Sequence, residues 1–137
     1  MNVLKYCVAD PASVPLTASA ADAIEAMISR GMGAAAIVDE NQIVAGIFTE
    51  RDVLKKIALS GRDPKTIPIN EVMTAPVVMA TKSTNIAEAL QVMVDQQKRH
   101  LPVVEENGKL IGILSIRHVL EHKVNELTKQ LEHHTAK

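Results

Sequence analysis

Residues 46–54 read "GIFTERDVL" and residues 112–120 read "GILSIRHVL". Gly46, Ile47, Arg51, Val53 and Leu54 return as Gly112, Ile113, Arg117, Val119 and Leu120, but Thr49 has become Ser115 and Asp52 has become His118. The offset of 66 positions holds well beyond the phrase and without a gap: Ala23 falls on Ala89, Met27 on Met93, Val38 on Val104, Glu40 on Glu106 and Asn41 on Asn107. Asp22/Glu88, Ile24/Leu90 and Ile37/Val103 follow as close substitutions. A self-match of this period marks a duplicated supersecondary unit.

Within each copy the hydrophobic period changes in the same order. Ala20, Ala23, Ile24, Met27 and Ile28 recur at helical spacing up to Gly31, "AAAIV" is a short buried strand, "DENQ" a turn, and "IVAGIF" a second strand. From Thr49 a helix carries Val53, Leu54 and Ile57 on one face until Ser60-Gly61. The second copy repeats this as a helix from Ile86 to Gln97, the strand "LPVVE", the turn "ENG", the strand "KLIGIL" and a helix from Ser115. A short leading strand precedes each unit, near Ala12 to Leu16 and Val78 to Thr81. The spacing therefore predicts an α+β fold of tandem strand-helix-strand-strand-helix repeats, packed sheet to sheet with pseudo-two-fold symmetry. Residues 1–62 form the first repeat, 63–76 with its three prolines the linker and entry, and 77–137 the second repeat with its C-terminal helix.

Composition narrows what this unit can do. The chain has 137 residues, enough for one shared core but not for a second large domain. Trp is absent and Tyr and Phe occur once each, so there are no aromatic platforms for single-stranded nucleic acid. Fifteen basic against sixteen acidic side chains also argue against binding a phosphate backbone. The first ten residues lack an apolar signal region, and no apolar run approaches the roughly 20 residues of a membrane span. A soluble cytoplasmic protein is expected, with no membrane or nucleic-acid partner. Cys7 is the only cysteine, so an internal disulfide is impossible and the thiol reads as a small apolar side chain.

The chemistry of "TERD" can be read from its place. Thr49 and Asp52 stand three apart where a strand turns into a helix, beside backbone N–H groups that lack intrahelical partners. That spacing is a capping box, which needs no ligand. The same geometry serves binding, because an ionised Asp can accept two hydrogen bonds from a vicinal ribose diol and a Thr hydroxyl can bond a sugar or phosphate oxygen. In "QKRHLPVV", residues 97–104, Lys98, Arg99 and His100 lie between a helix end and a strand, where cations also simply oppose the helix dipole.

The whole-chain duplication and the placing of "GIFTERDVL" resemble the tandem cystathionine-β-synthase-type (CBS) domain pair, or Bateman module, over nearly all of the chain. The resemblance implies clefts between the repeats that bind AMP, ADP, ATP or another adenosyl ligand such as S-adenosylmethionine, and association as flat dimers. It places Thr49 and Asp52 in the ribose and phosphate motif, and Arg99 and His100 where basic residues reach the phosphate of a nucleotide whose ribose the other repeat holds. Cys7, Ala12, Met32 and Ile47 are the expected walls for the base. The first-repeat counterparts of Arg99 and His100 are Gly33 and Ala34, and Asp52 answers to His118, so both losses fall on one cleft. One competent and one degenerate site per chain follow, and a neutral imidazole offers only one acceptor to a diol. Asp52→Ala is expected to weaken nucleotide binding by roughly 1.5–3 kcal/mol, with a much smaller loss of stability.

Three other patterns are weaker. "HVLEH", His118 to His122, matches a metalloprotease pattern but has no credible downstream acidic ligand helix. "GMGAAA" runs from helix to strand, the reverse of a dinucleotide fingerprint. His133-His134 is at most a weak metal attractor. The reading is a non-enzymatic regulatory module with no catalytic residues, metal or catalytic cofactor, an adenine nucleotide as ligand, a homodimer as its state and some regulated protein as partner. A ligand-free dimerisation or scaffold module is the alternative. The helix from Ser115 to about His133 carries Ile116, Val119, Leu120, Val124, Leu127 and Leu131 as an apolar stripe, which would fold back on its own domain or clamp a dimer.

Overall fold

The apolar run from Ala34 becomes strand β3 (Ala34–Val38), buried at all five positions. It is the middle strand of a three-stranded sheet, parallel to β2 (Ser13–Pro15) and antiparallel to β4 (Val44–Thr49). A strand covered on both faces needs continuous hydrophobicity rather than alternation. The crossover from β2 to β3 is helix α1 (Ala20–Arg30), which begins with a capping box between Ser19 and Asp22 and stops at left-handed Gly31. β4 runs into α2 (Glu50–Asp52), which continues as a π-helical turn over Val53–Ile57. This computed structural model describes residues 2–135.

The second copy repeats the plan with β5 (Ala80–Thr81), α4 (Ile86–Asp95), β6 (His100–Val104), β7 (Leu110–Ser115) and α5 (Ile116–Thr135), β6 again being central between a parallel and an antiparallel neighbour. α4 ends two residues before the expected Gln97, because Gln97 itself turns left-handed with φ of 55°, as its counterpart Gly31 does at 61°. The pseudo-two-fold axis is visible in paired bonds: Val44 N donates to Gly108 O at 3.2 Å and Leu110 N to Gln42 O at 3.0 Å. Val38, Val44 and Val104 close the seam between the sheets, with Val77 and Leu110 packed against them.

The two cores exchange their flanks. Val3 and Tyr6, on the 3-10 turn Val3–Lys5 and just after it, are fully buried with Ile86, Met93, Leu101 and Leu114 of the second repeat. Ile69 and Val72 of α3 (Ile69–Val72), their counterparts at the 66-residue offset, are buried with Met27, Ile37 and Phe48 of the first. Beyond each turn the chain crosses the other repeat's last strand. β1 (Val8–Ala9) pairs antiparallel with β7, and Thr74 exchanges two backbone bonds with Ile47 at 2.7 and 3.0 Å. This crossing explains the glycine that opens the repeated phrase. A Cβ on Gly112 would stand 2.6 Å from Val8 O and 3.0 Å from Cys7 Sγ, and one on Gly46 would collide with Met73 Sδ. Thus residues 3–9 lie with the second core and residues 67–73 with the first, whatever their order along the chain.

Two side chains expected on the buried faces point outward. Ile28 is 74% and Leu54 71% exposed, while Met27, Val53 and Ile57 face the core. Each lies one residue round its helix from a core position, where a 100° step already leaves the apolar stripe. Their counterparts Val94 and Leu120 are exposed at 64% and 59%, so each repeat presents the same two apolar positions. α5 turns His122 and Glu126 towards Tyr6 and Lys5, while its apolar stripe stays outward: Val124, Leu127 and Leu131 are 58–66% exposed. No helix among the described residues is long and apolar enough to cross a membrane.

Candidate functional site

Thr49 is the last residue of β4 and the N-cap of α2, and the capping box is complete. Asp52 N donates to Thr49 Oγ1 at 3.3 Å, and Thr49 N donates to Asp52 Oδ2 at 3.0 Å. Asp52 is 6% exposed, the only buried charged residue among those described. Such a carboxylate needs partners for both oxygens, and it has more than the cap. Thr74 Oγ1 lies 3.1 Å from Oδ1 and 3.3 Å from Oδ2, and Lys56 Nζ lies 3.0 Å from Oδ1. Lys56 also donates to Val72 O at 2.9 Å, fastening α2 to the exchanged flank α3.

The second repeat reaches this helix start through His100. A Cβ built on Gly33 would be 3.3 Å from His100 Cε1 and 3.0 Å from Glu50 Oε1, so a side chain from each repeat closes on the space over Gly33. Glu50 N donates to Gly33 O at 3.1 Å, which locks the turn before β3 onto the first residue of α2. Burial is the main influence on His100 and pushes its imidazolium pKa down; Glu50 pulls it up and Arg99 adds to the lowering. Arg99 is exposed, and its side chain makes no ion pair among the described residues.

The other expected wall residues separate into two groups. Ile47 is buried and bridged to Thr74, so it belongs to the Asp52 half. Met32 is half-buried, its Sδ accepting the Ala12 N–H at 3.4 Å, and it shares a shallow groove with Gly33, Glu50, Val53, Leu54 and Arg117. Ala12 is buried beneath it. Cys7 is not brought to Asp52. It lies against Gly112, because its segment crosses β7, and Met73 with Thr74 occupies the corresponding place over Gly46. Burial raises the Cys7 thiol pKa, which disfavours the thiolate.

Three residues beside Asp52 and His100 were not foreseen: Thr74, Lys56 and Glu50. Their counterparts at the 66-residue offset are Val8, His122 and Ile116, so the polar set is lost from the other half along with Asp52. There the His122 ring packs edge-on against Tyr6 at 4.8 Å, in place of a lysine reaching Val72 O. No group of three or more His, Cys, Asp or Glu that could hold a metal lies among the described residues.

Comparison with known proteins agrees with this architecture. The family described as CBS domain matches twice, over residues 4–59 and 69–125. The CBS domain-containing protein CBSX3, mitochondrial, of Arabidopsis thaliana is 36% identical over 115 residues, which cover 81% of this chain and 55% of that one. The chain spans about half the length of the curated relatives it matches. Among solved structures, a putative signal-transduction protein with CBS domains from Burkholderia ambifaria is 35% identical with a TM-score of 0.74, over 84% of this chain and 83% of that one. CBSX2 in complex with AMP is 25% identical with a TM-score of 0.78, over 90% and 97%. With two family matches one after the other, two copies of one fold and reciprocal bonds across a pseudo-two-fold axis, the chain belongs to the CBS-domain family as a tandem pair.

Proposed function

We propose that the pair is a non-enzymatic cytoplasmic sensor that binds one adenine nucleotide per chain, AMP, ADP or ATP, where α2 of the first repeat meets β6 of the second. Asp52 accepts from the ribose diol, Thr49 bonds the sugar or phosphate, and Arg99 and His100 meet the phosphate. The observation that carries this reading is that His100 and Glu50, the latter two residues from Asp52, both close on Gly33, because it sets a basic strand end of one repeat beside the acidic helix start of the other. The AMP complex of CBSX2 supports the ligand class. A second reading, a ligand-free scaffold, is favoured by the Asp52 carboxylate being fully bonded within the protein. Calorimetry of the chain against AMP, ADP, ATP and S-adenosylmethionine separates the two: saturable binding at one ligand per chain, lost in Asp52→Ala, supports the sensor. No binding at millimolar concentration supports the scaffold.

The assembly belongs to the same proposal. Ile28 and Leu54, repeated as Val94 and Leu120, together with Val124, Leu127 and Leu131 on α5, form an apolar face that a second copy of the chain would cover. Such a dimer would carry ligand occupancy to a regulated protein through changed contacts. Sedimentation checks it. The parent should run as a dimer and Leu120→Glu with Leu127→Glu as a monomer; a monomeric parent at tens of micromolar would refute it.

A further inference from the structure

The carboxylate that the sensor reading assigns to the ribose has no acceptor position to spare. Four donors fill its acceptor positions: Oδ2 takes the Thr49 backbone N–H and, at 3.3 Å, the Thr49 hydroxyl, Oδ1 takes the Lys56 ammonium, and the Thr74 hydroxyl is 3.1 Å from Oδ1 and 3.3 Å from Oδ2. A diol needs two acceptor positions on one carboxylate. The two Thr49 bonds belong to the helix cap, so the Lys56 ammonium and the Thr74 hydroxyl are the partners that leave. Of these, only Lys56 brings a charge, so its link to the carboxylate is an ion pair as well as a hydrogen bond. Its side chain is 37% exposed, which gives it a route out to water.

We propose that Lys56 is an internal competitor for the ligand: it holds Asp52 in the empty site and is displaced when a ribose diol binds. Two features set it apart from an incidental surface pair. Its partner is buried, and the same ammonium bonds Val72 O, the last residue of α3 on the segment that joins the repeats. Displacing it therefore frees two contacts at once, one in the site and one on the exchanged flank, and Thr74 lies on that same flank. Ligand binding is coupled to loosening of residues 69–74 against α2. The π-helical turn over Val53–Ile57, closed by Ala58 N donating to Val53 O at 2.9 Å, carries Lys56 itself. Turns of this kind are frequent at functional sites. In the other half the offset replaces Lys56 by His122 and Asp52 by His118, so this competitor is present only where the acceptor is.

This inference rests on Asp52 being the ribose acceptor, and its test separates the two. AMP is titrated into the parent, Lys56→Met and Asp52→Asn, and backbone amide exchange of residues 69–74 is followed with and without AMP. Lys56→Met should bind AMP about fivefold more tightly, the scale of one partly exposed ion pair no longer broken. AMP should speed exchange at residues 69–74 in the parent, and in Lys56→Met without AMP these amides should already exchange at the faster rate. Binding by the parent, lost in Asp52→Asn, with Lys56→Met equal to the parent or weaker, overturns the competitor and leaves the ribose assignment standing. AMP binding unchanged in Asp52→Asn, or absent from all three proteins, overturns the assignment and the competitor with it. A melting-temperature double-mutant cycle of Asp52→Asn and Lys56→Met shows whether the pair forms in the free chain; strict additivity would also overturn the proposal.

Discussion

Replacing Asp52 should damage the free protein as well as the proposed site, and the cost can be built from its contacts. Asp52→Ala removes the acceptor for Thr49 N, which is part-buried with that carboxylate as its side of the capping box. Losing a cap costs about 1 kcal/mol. The Thr74 hydroxyl, half-buried, loses its bond to either oxygen, another roughly 1 kcal/mol. The Lys56 pair adds under about 1 kcal/mol, because the lysine reaches solvent and is screened there. The sum is about 2–3 kcal/mol, or about 6–10 °C in melting temperature for a domain of this size. This revises the expectation from the sequence, which placed nearly all the loss in binding. Thermal melting of parent, Asp52→Ala, Asp52→Asn and His118→Ala at one fixed protomer concentration is the assay. Asp52→Asn keeps an acceptor for Thr49 N and should lose about half as much, and His118→Ala should lie close to the parent. If Asp52→Ala melts within 2 °C of the parent, the buried bonding pattern around residue 52 is not what holds α2.

Two further outcomes are expected. Burial lowers the His100 pKa below its ordinary value of about 6.5, so the folded chain favours the neutral ring; stability should be full above pH 6.5 and fall as pH drops towards the depressed folded pKa. A phosphate at this ring would reverse the shift, so the AMP affinity ratio of parent to His100→Gln should grow as pH falls from 7.5 to 5.5, the variant carrying the phosphate's own titration, and a constant ratio would separate His100 from the phosphate. Gln97 has φ of 55° at the end of α4 where Gly31 ends α1, so Gln97→Gly should stabilise the protein by about 0.5–1 kcal/mol, read as a higher urea midpoint; an unchanged or lower midpoint would contradict the left-handed cap.

The periodic parts of the fold were legible because they repeat. Helical spacing in residues 20–30, the continuous apolar run 34–38 and the turn at 39–42 each recur 66 residues later, and agreement between copies corrects local ambiguity. What could not be read was which core each flank joins. Val3 and Tyr6 lie in a short, almost uniformly apolar segment, and nothing in its spacing says that it joins the second core instead of staying with the repeat that follows it. The outward Ile28 and Leu54 misled for a related reason: helical spacing counts an apolar residue towards the core, although large apolar side chains are also common on surfaces. Here the offset held the signal, since Val94 and Leu120 occupy the same outward positions.

The site was half legible, and the missing half shows how the duplicated phrase diverged. Asp52 was found because its loss at His118 broke a motif. Thr74, Lys56 and Glu50 carry no motif, yet each differs from its counterpart in the same sense: Thr74 against Val8, Lys56 against His122, Glu50 against Ile116. A buried carboxylate with a hydroxyl and an ammonium marks one half, while an aromatic contact between Tyr6 and His122, rimmed by Lys5, Lys123 and Glu126, takes that place in the other. These are coupled choices. A buried carboxylate without Lys56 and Thr74 would keep only its Thr49 bonds, and a lysine at 122 would find His118 where Asp52 stands in the other copy. Where Asp52 stands its neighbours must be polar, and where His118 stands instead packing can fill the space. On the proposed reading, the ion-paired half exchanges its partners for those of a polar ligand, since its bonds are of the kind a ribose offers. The half around Tyr6 and His122 has no carboxylate at position 118 with which to make that exchange.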